Sequence, residues 1–129
     1  MSVRSGSRGE NEGSPGLQEL HRRRCRPCEG GTEALSAERA ARYLGQVPGW
    51  RLAGGRPAIE RDFRFASFDA TLAFVNALAW VAHRQGHHPD IEATPGRCRV
   101  RFTTHAIGGL SENDFICAAR VNELMETAP

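Results

Sequence analysis

Arg97-Cys98-Arg99-Val100-Arg101-Phe102-Thr103-Thr104-His105 alternates without a break between a small or apolar set (Cys98, Val100, Phe102, Thr104) and a cationic or polar set (Arg97, Arg99, Arg101, Thr103). Successive side chains of a strand point to opposite faces, so this stretch predicts a strand with one buried side, as in an antiparallel sheet covered on a single face. His105 has the parity of the polar set. It is expected on the open side or at the strand's end, where a ligand can reach it.

Upstream, across a Thr94-Pro95-Gly96 turn, residues 89–92 read as a neighbouring strand. A second hairpin is expected from residues 50–52, a turn over residues 53–57 and a strand over residues 59–65. In that strand Ile59, Phe63 and Phe65 share one face with Arg61, and Glu60, Asp62 and Arg64 take the other. A helix should start at the Ser36 cap, with Leu35 before it and Ala40 at the staple position, and stop before Pro48-Gly49. The next runs from the Ser67 cap, with Phe74, Val75, Leu78, Val81 and Ala82 as its apolar stripe and Gly86 ending it. His83 falls in its last turn, where a cation suits the helix dipole.

Gly108-Gly109 precede Ser111-Glu112-Asn113-Asp114, an S-x-x-D variant of a capping box that opens a last helix, so Asp114 can cap that N-terminus whatever else it does. This helix carries Phe115, Ala118 and Ala119 on one side and Cys117, Val121, Leu124 and Met125 on another. One chain is expected to bury a single stripe, which predicts a second contact with a neighbouring subunit. The order α-β-β-α-β-β-α gives an α+β fold: a four-stranded antiparallel sheet with three helices packed on one face.

At 129 residues the chain is one small domain plus a tail. Residues 1–20 are rich in Gly, Ser and Pro and nearly devoid of large hydrophobes, so disorder is expected there, with a tail over 1–24 and a domain over 25–129. The net charge is only +2, and Arg4, Arg8, Arg22, Arg23, Arg24 and Arg26 all lie at the N-terminal end. The rest is slightly acidic, so no nucleic-acid partner is expected, and Arg22-Arg23-Arg24 reads as a solvated tail rather than a phosphate-binding patch. No run approaches the roughly 18 apolar residues of a membrane span. With neither an apolar leader nor a cleavage site, the expectation is a cytoplasmic protein without a membrane partner. Four cysteines fit a reducing compartment. Cys98 and Cys117 occupy apolar-looking positions, and Cys25 and Cys28 form a lone C-x-x-C that with His21 supplies three of the four ligands zinc needs.

The chemistry concentrates elsewhere. His83, His87, His88 and His105 are four of the five histidines, and imidazole alone titrates near neutrality unperturbed, so the cluster points to proton transfer or metal binding before packing. Adjacent His87 and His88 cannot both be core residues, because a strand sends them to opposite faces and a helix separates them by about 100°.

Together, Gly86-His87-His88-Pro89-Asp90-Ile91-Glu92, the stretch from Arg99 to Phe115 and the terminal Ala118-Ala119-Arg120-Val121-Asn122-Glu123-Leu124 resemble the pterin-4a-carbinolamine dehydratases, also known as the dimerisation cofactor of a homeodomain transcription factor. Upstream the resemblance takes in Cys25-x-x-Cys28, Leu35-Ser36, Pro48-Gly49-Trp50, Arg61 to Phe65 and Phe74-Val75-Asn76, so it covers roughly residues 25 to 126. The family's pattern has an acidic or polar residue, then His-His-Pro, an aromatic, a His and an Asp. Here His83 stands where a Glu is usual, and the aromatic is absent near Pro95.

The resemblance implies dehydration of a 4a-hydroxytetrahydropterin to the quinonoid dihydropterin and water, recycling the pterin of aromatic amino-acid hydroxylation. It implies His87 and His105 as an acid/base pair with Asp114 orienting or charging an imidazole, and His88, Thr104 and His83 as substrate-binding residues. No metal or organic cofactor is needed for that chemistry. A homodimer or homotetramer and an aromatic amino-acid hydroxylase are the implied protein partners. Two other readings stand beside it: a non-catalytic dimerisation or interaction module on the same fold, and a His/Cys metal-binding protein.

Overall fold

The computed structural model describes residues 17–26 and 33–127. Three helices, α1 (Ala37–Leu44), α2 (Phe68–Gln85) and α3 (Glu112–Thr127), combine with strands β1 (Arg51–Leu52), β2 (Ile59–Arg64), β3 (Asp90–Thr94) and β4 (Arg97–Phe102) in the expected order. The four strands form one antiparallel sheet in the order β1-β2-β4-β3. The strand on which the reading above turned is therefore a central one, flanked by β2 and β3.

Its alternation is realised as burial. Cys98, Val100 and Phe102 are completely buried, beside Ile59 and Phe63 of β2. Trp50, immediately before β1, packs edge-on to Phe63 and tilted on Phe102, and Phe63 meets Phe74 of α2 at 4.6 Å between ring centroids. Its indole N–H is buried with the ring and donates to Asn122 Oδ1. The helices cover this apolar face, α1 entering through Tyr43, which stacks on Phe115 of α3 at 5.3 Å.

The opposite face is a lattice of charges. Arg51 bridges Glu60 and Asp62, Arg99 holds Asp62, and Arg101 holds Glu60. Glu60 points outward as its parity predicts, yet its two arginines cover it to 7 % exposure. Burial raises its pKa, but the Arg101 and Arg51 contacts outweigh that and the net shift is downward. The Arg99 hydrogen bond brings Asp62 to about 2.

Both expected N-caps form: Ser36 and Ser67 accept from the amides of Arg39 and Ala70. Gly86, at φ 64° in the left-handed region, ends α2. The first helix stops at Gly45, ahead of Pro48, and Val47 is fully buried in the turn between them.

Two expectations change. Residues 17–24 were assigned to the tail, yet Leu17–Arg22 is a 3₁₀ helix packed on α3, and Leu20 is only 2 % exposed. Arg23 pairs with Glu112, and its carbonyl accepts two hydrogen bonds from the Arg120 guanidinium. This segment continues to Arg26 as a strap. It accounts for the second change, because α3 buries Phe115, Ile116, Cys117, Ala118 and Val121 within one chain. Leu20 and the half-buried Cys25 pack into the same apolar cluster as α3, so the helix's two-sided composition needs no neighbouring subunit. Residues 1–16 and Cys28 lie outside the described residues.

Candidate active site

The end of α2, the end of β4 and the start of α3 converge, and each brings one functional side chain for a local reason. The left-handed Gly86 turns the chain sharply out of α2, and the His87 amide still donates to the Ala82 carbonyl, so His87 is held against the helix end. Its ring lies parallel to Phe102 at 5.8 Å and 8°, and its side chain is 12 % exposed. Beyond β4, Thr104 forms an isolated bridge with Gly109 around the 3₁₀ turn His105–Ile107. That turn puts His105 on the surface, as the strand parity predicted.

Asp114 joins these pieces. It is fully buried. One carboxylate oxygen lies 2.6 Å from His87 Nε2; the other accepts from Thr104 Oγ1 and from the Ser111 amide, both at 2.9 Å. The Ser111 hydroxyl accepts from the Asn113 amide and lies 2.8 Å from Thr104 Oγ1. Thr104 spends its single proton on the Asp114 carboxylate, so Ser111 donates to Thr104 and each proton in the chain has one assignment. The capping box and the histidine contact thus use different oxygens of the same carboxylate.

Chemically, a carboxylate on Nε2 favours the tautomer protonated there. Among the described residues Nδ1 has no hydrogen-bond partner.

A cavity of about 630 Å³ opens above this network, lined by His83, His87, His88, His105, Thr103, Thr104, Asn113 and the end of α2, with Cys25 and Arg26 of the strap as another wall. Four of the five histidines expected to act together therefore share one space. His88 and His83 are exposed, and His83 meets Trp80 edge-on at 5.9 Å. Thr104 also borders the cavity, but its expected role changes: the hydroxyl is buried between Ser111 and Asp114, where it supports the carboxylate rather than presenting a free group to a ligand.

The strap wall is the part that sequence reasoning missed. It is tied on both sides, by the Cys25 amide to Gln85 Oε1 and by Arg26 to Asn113 through both backbone polar groups. Cys25 Sγ lies 3.5 Å from Cys117 Sγ. The Cys117 thiol is pushed up by its contact with Cys25 and by burial. Among the described residues no group of three or more His, Cys, Asp or Glu side chains is placed to hold a metal ion. Nor is any helix there long and apolar enough to cross a membrane.

The model of the family described as pterin 4 alpha carbinolamine dehydratase matches residues 33–124. The chain belongs to that family. Relatives bearing pterin-4-alpha-carbinolamine dehydratase as a provisional name include one from Stenotrophomonas maltophilia (strain K279a), 53 % identical over 110 residues that span 85 % of this chain and 95 % of the relative. Another, from Nitrosomonas eutropha, is 54 % identical over 108 residues, 83 % of this chain and 94 % of that one. Among solved structures, a protein described as a transcriptional coactivator/pterin dehydratase from Brucella melitensis superposes with a TM-score of 0.68 at 29 % identity, covering 71 % of this chain and 98 % of its own. A pterin dehydratase-like protein described as a RuBisCO assembly factor in the alpha-carboxysome reaches a TM-score of 0.53 at 30 % identity, over 62 % and 93 % of the two chains. Pterin dehydratase members thus share the fold with proteins named for assembly roles.

Proposed function

We propose that this chain dehydrates a 4a-hydroxytetrahydropterin by histidine acid/base catalysis. The observation that carries the reading is the 2.6 Å contact between His87 and the buried Asp114 at the edge of a cavity that His88 and His105 also line. In the reaction the C4a hydroxyl leaves with a proton as water and N5 gives up its proton, so quinonoid dihydropterin and water account for every atom. One group must donate and another accept, each near neutral pH and each contributing roughly 10²–10⁴ in rate. His87 and His105 take these two roles, His88 positions the pterin, and Asp114 orients His87 and balances its charge. The product re-enters a reduction cycle that serves a pterin-dependent aromatic amino-acid hydroxylase.

A homo-oligomer accompanies this reading on new grounds. Phe68, Leu72 and Trp80 stand 48 %, 41 % and 65 % exposed along α2, more apolar area than a lone helix usually leaves in water. Light scattering on the purified chain tests it, and a stable monomer at micromolar concentration would refute it.

The deciding experiment is turnover of a carbinolamine freshly generated by a hydroxylase, followed through the absorbance of the quinonoid product. Acceleration that disappears in the His87→Ala, His105→Ala double variant supports the proposal. Wild-type turnover in that variant refutes the mechanism. No acceleration by the unaltered chain would instead favour a non-catalytic interaction module.

A further inference from the structure

We infer that the pterin this cavity takes carries an anionic side chain, ending in phosphate or carboxylate, held by Arg24, Arg26 and Arg84; the inference rests on the proposed dehydratase reading. The strap alternates in burial from His21 to Arg26, so Arg24 and Arg26 share its exposed side while Arg23 and Cys25 turn inward. Arg26 and Arg84 line the histidine cavity. Arg24, Arg84 and Arg120 line a second cavity of about 510 Å³ that shares His83, Arg84 and Gln85 with the first.

Charge in these two spaces is one-sided. Among the described residues neither lining contains a carboxylate. On the outer sheet face and at the start of α3 four arginines are paired closely: Arg23 with Glu112, Arg51 and Arg101 with Glu60, Arg99 with Asp62. Among the described residues the guanidiniums of Arg24, Arg26 and Arg84 have no acidic partner within 4.0 Å, and the Arg120 guanidinium is fastened to the Arg23 carbonyl. Like charges gathered around a concavity repel one another and focus a positive potential into it, which an anion relieves. The strap's backbone is tied to Gln85 and Asn113, so Arg24 and Arg26 are mounted on a fixed support. A guanidinium fork grips phosphate or carboxylate bidentately, whereas a neutral polyol chain leaves these charges unanswered. The cations rim a recess continuous with the histidines rather than a flat or convex face, and this favours a tailed small molecule over a macromolecule.

The test compares kcat/KM for three carbinolamines that share the pterin ring and differ in the C6 chain: a neutral polyol, its terminal phosphate, and a glutamate-bearing chain. Expected at low ionic strength is a preference of tenfold or more for an anionic chain over the neutral one, and whichever of the two is preferred identifies the source of the charge. That preference should shrink toward one as salt is raised, and should collapse in the Arg24→Gln, Arg26→Gln, Arg84→Gln variant. Neutral and anionic substrates used within twofold of each other by the unaltered chain would overturn the inference and leave the dehydratase reading standing. So would a preference that survives both salt and the triple substitution. Tight binding of a heparin-type polyanion with no preference among the pterins would assign the arginines to a macromolecule and overturn it too. Failure to turn over any of the three would overturn the dehydratase reading, and this inference with it.

Discussion

Asp62 lies on β2 and Asp114 in the first turn of α3, and the partners of these two carboxylates differ in kind. On the outer face Asp62 stands among guanidiniums, held by Arg99 and Arg51. In the interior Asp114 has no arginine partner among the described residues: its partners are an imidazole, a hydroxyl and a backbone amide. A guanidinium keeps its proton at any physiological pH, so the Asp62 lattice is a fixed charge pattern. An imidazole exchanges its proton in the range where cells live. Under the proposed mechanism the same acid makes a static tie in one place and part of a proton relay in the other, and the partner's chemistry decides which.

The largest expected effect tests the relay. His87→Ala and His105→Ala should each lower kcat by roughly 10²–10⁴, with fold and oligomer intact by circular dichroism and light scattering. A loss below tenfold for either would remove that ring from proton transfer. Asp114→Asn comes next, a near-isosteric change that takes away the negative charge facing His87. Expected is a fall in kcat of about one to two orders of magnitude, smaller than for His87→Ala because the ring remains. The more severe Asp114→Ala leaves the Ser111 amide and Thr104 hydroxyl without their acceptor, and should cost about 1–3 kcal/mol in urea unfolding.

His88→Ala should raise KM more than it lowers kcat, since a positioning contact is made in the ground state too. His83→Ala separates two roles: damage equal to His87→Ala gives this ring the orienting task of the family's usual Glu, and silence leaves it a helix-end cation.

Asp62→Asn sits at the small end. Its ion pairs are partly solvated, so the expected loss is below about 1 kcal/mol with kcat unchanged. The Asp62 pKa is lowered from 3.8 to about 2. Its stabilisation is therefore fully present above about 4 and lost as pH falls through about 2, and the unaltered chain should show this acid-side loss while the variant lacks that component. An Asp62→Asn change that slowed turnover as much as Asp114→Asn would erase the contrast between the two carboxylates.

The sheet was legible because its signal is local. The period-two pattern of residues 97–105 placed both the buried face of β4 and the emergence of His105, and Ser36, Ser67 and Ser111 announced the helix starts they cap. The site was legible in its residue types: the four histidines line one cavity and Asp114 reaches His87 beneath it. The double use of Asp114 was half visible in the S-x-x-D box. What stayed hidden was tertiary. Thr104 has the inward parity, but nothing nearby in sequence says that its hydroxyl ends on Asp114. Leu20 is one large apolar residue before a run of arginines, too short a pattern to signal packing, and its burial depends on a groove that exists only once α3 has formed. Missing it left the strap in the solvated tail and α3 with an uncovered side.

The strap carries one more consequence. The family model accounts for residues 33–124, and the strap, ending at Arg26, lies before that stretch while contributing Cys25 and Arg26 to the cavity wall. Two of the three arginines proposed to hold the ligand's charge, Arg24 and Arg26, thus lie on the strap, while the third, Arg84, belongs to the matched stretch. Under the proposed mechanism the proton-moving histidines lie within the matched stretch, so the strap can be exchanged without replacing them. Chimeras that exchange only this segment between relatives are the natural unit for re-engineering preference.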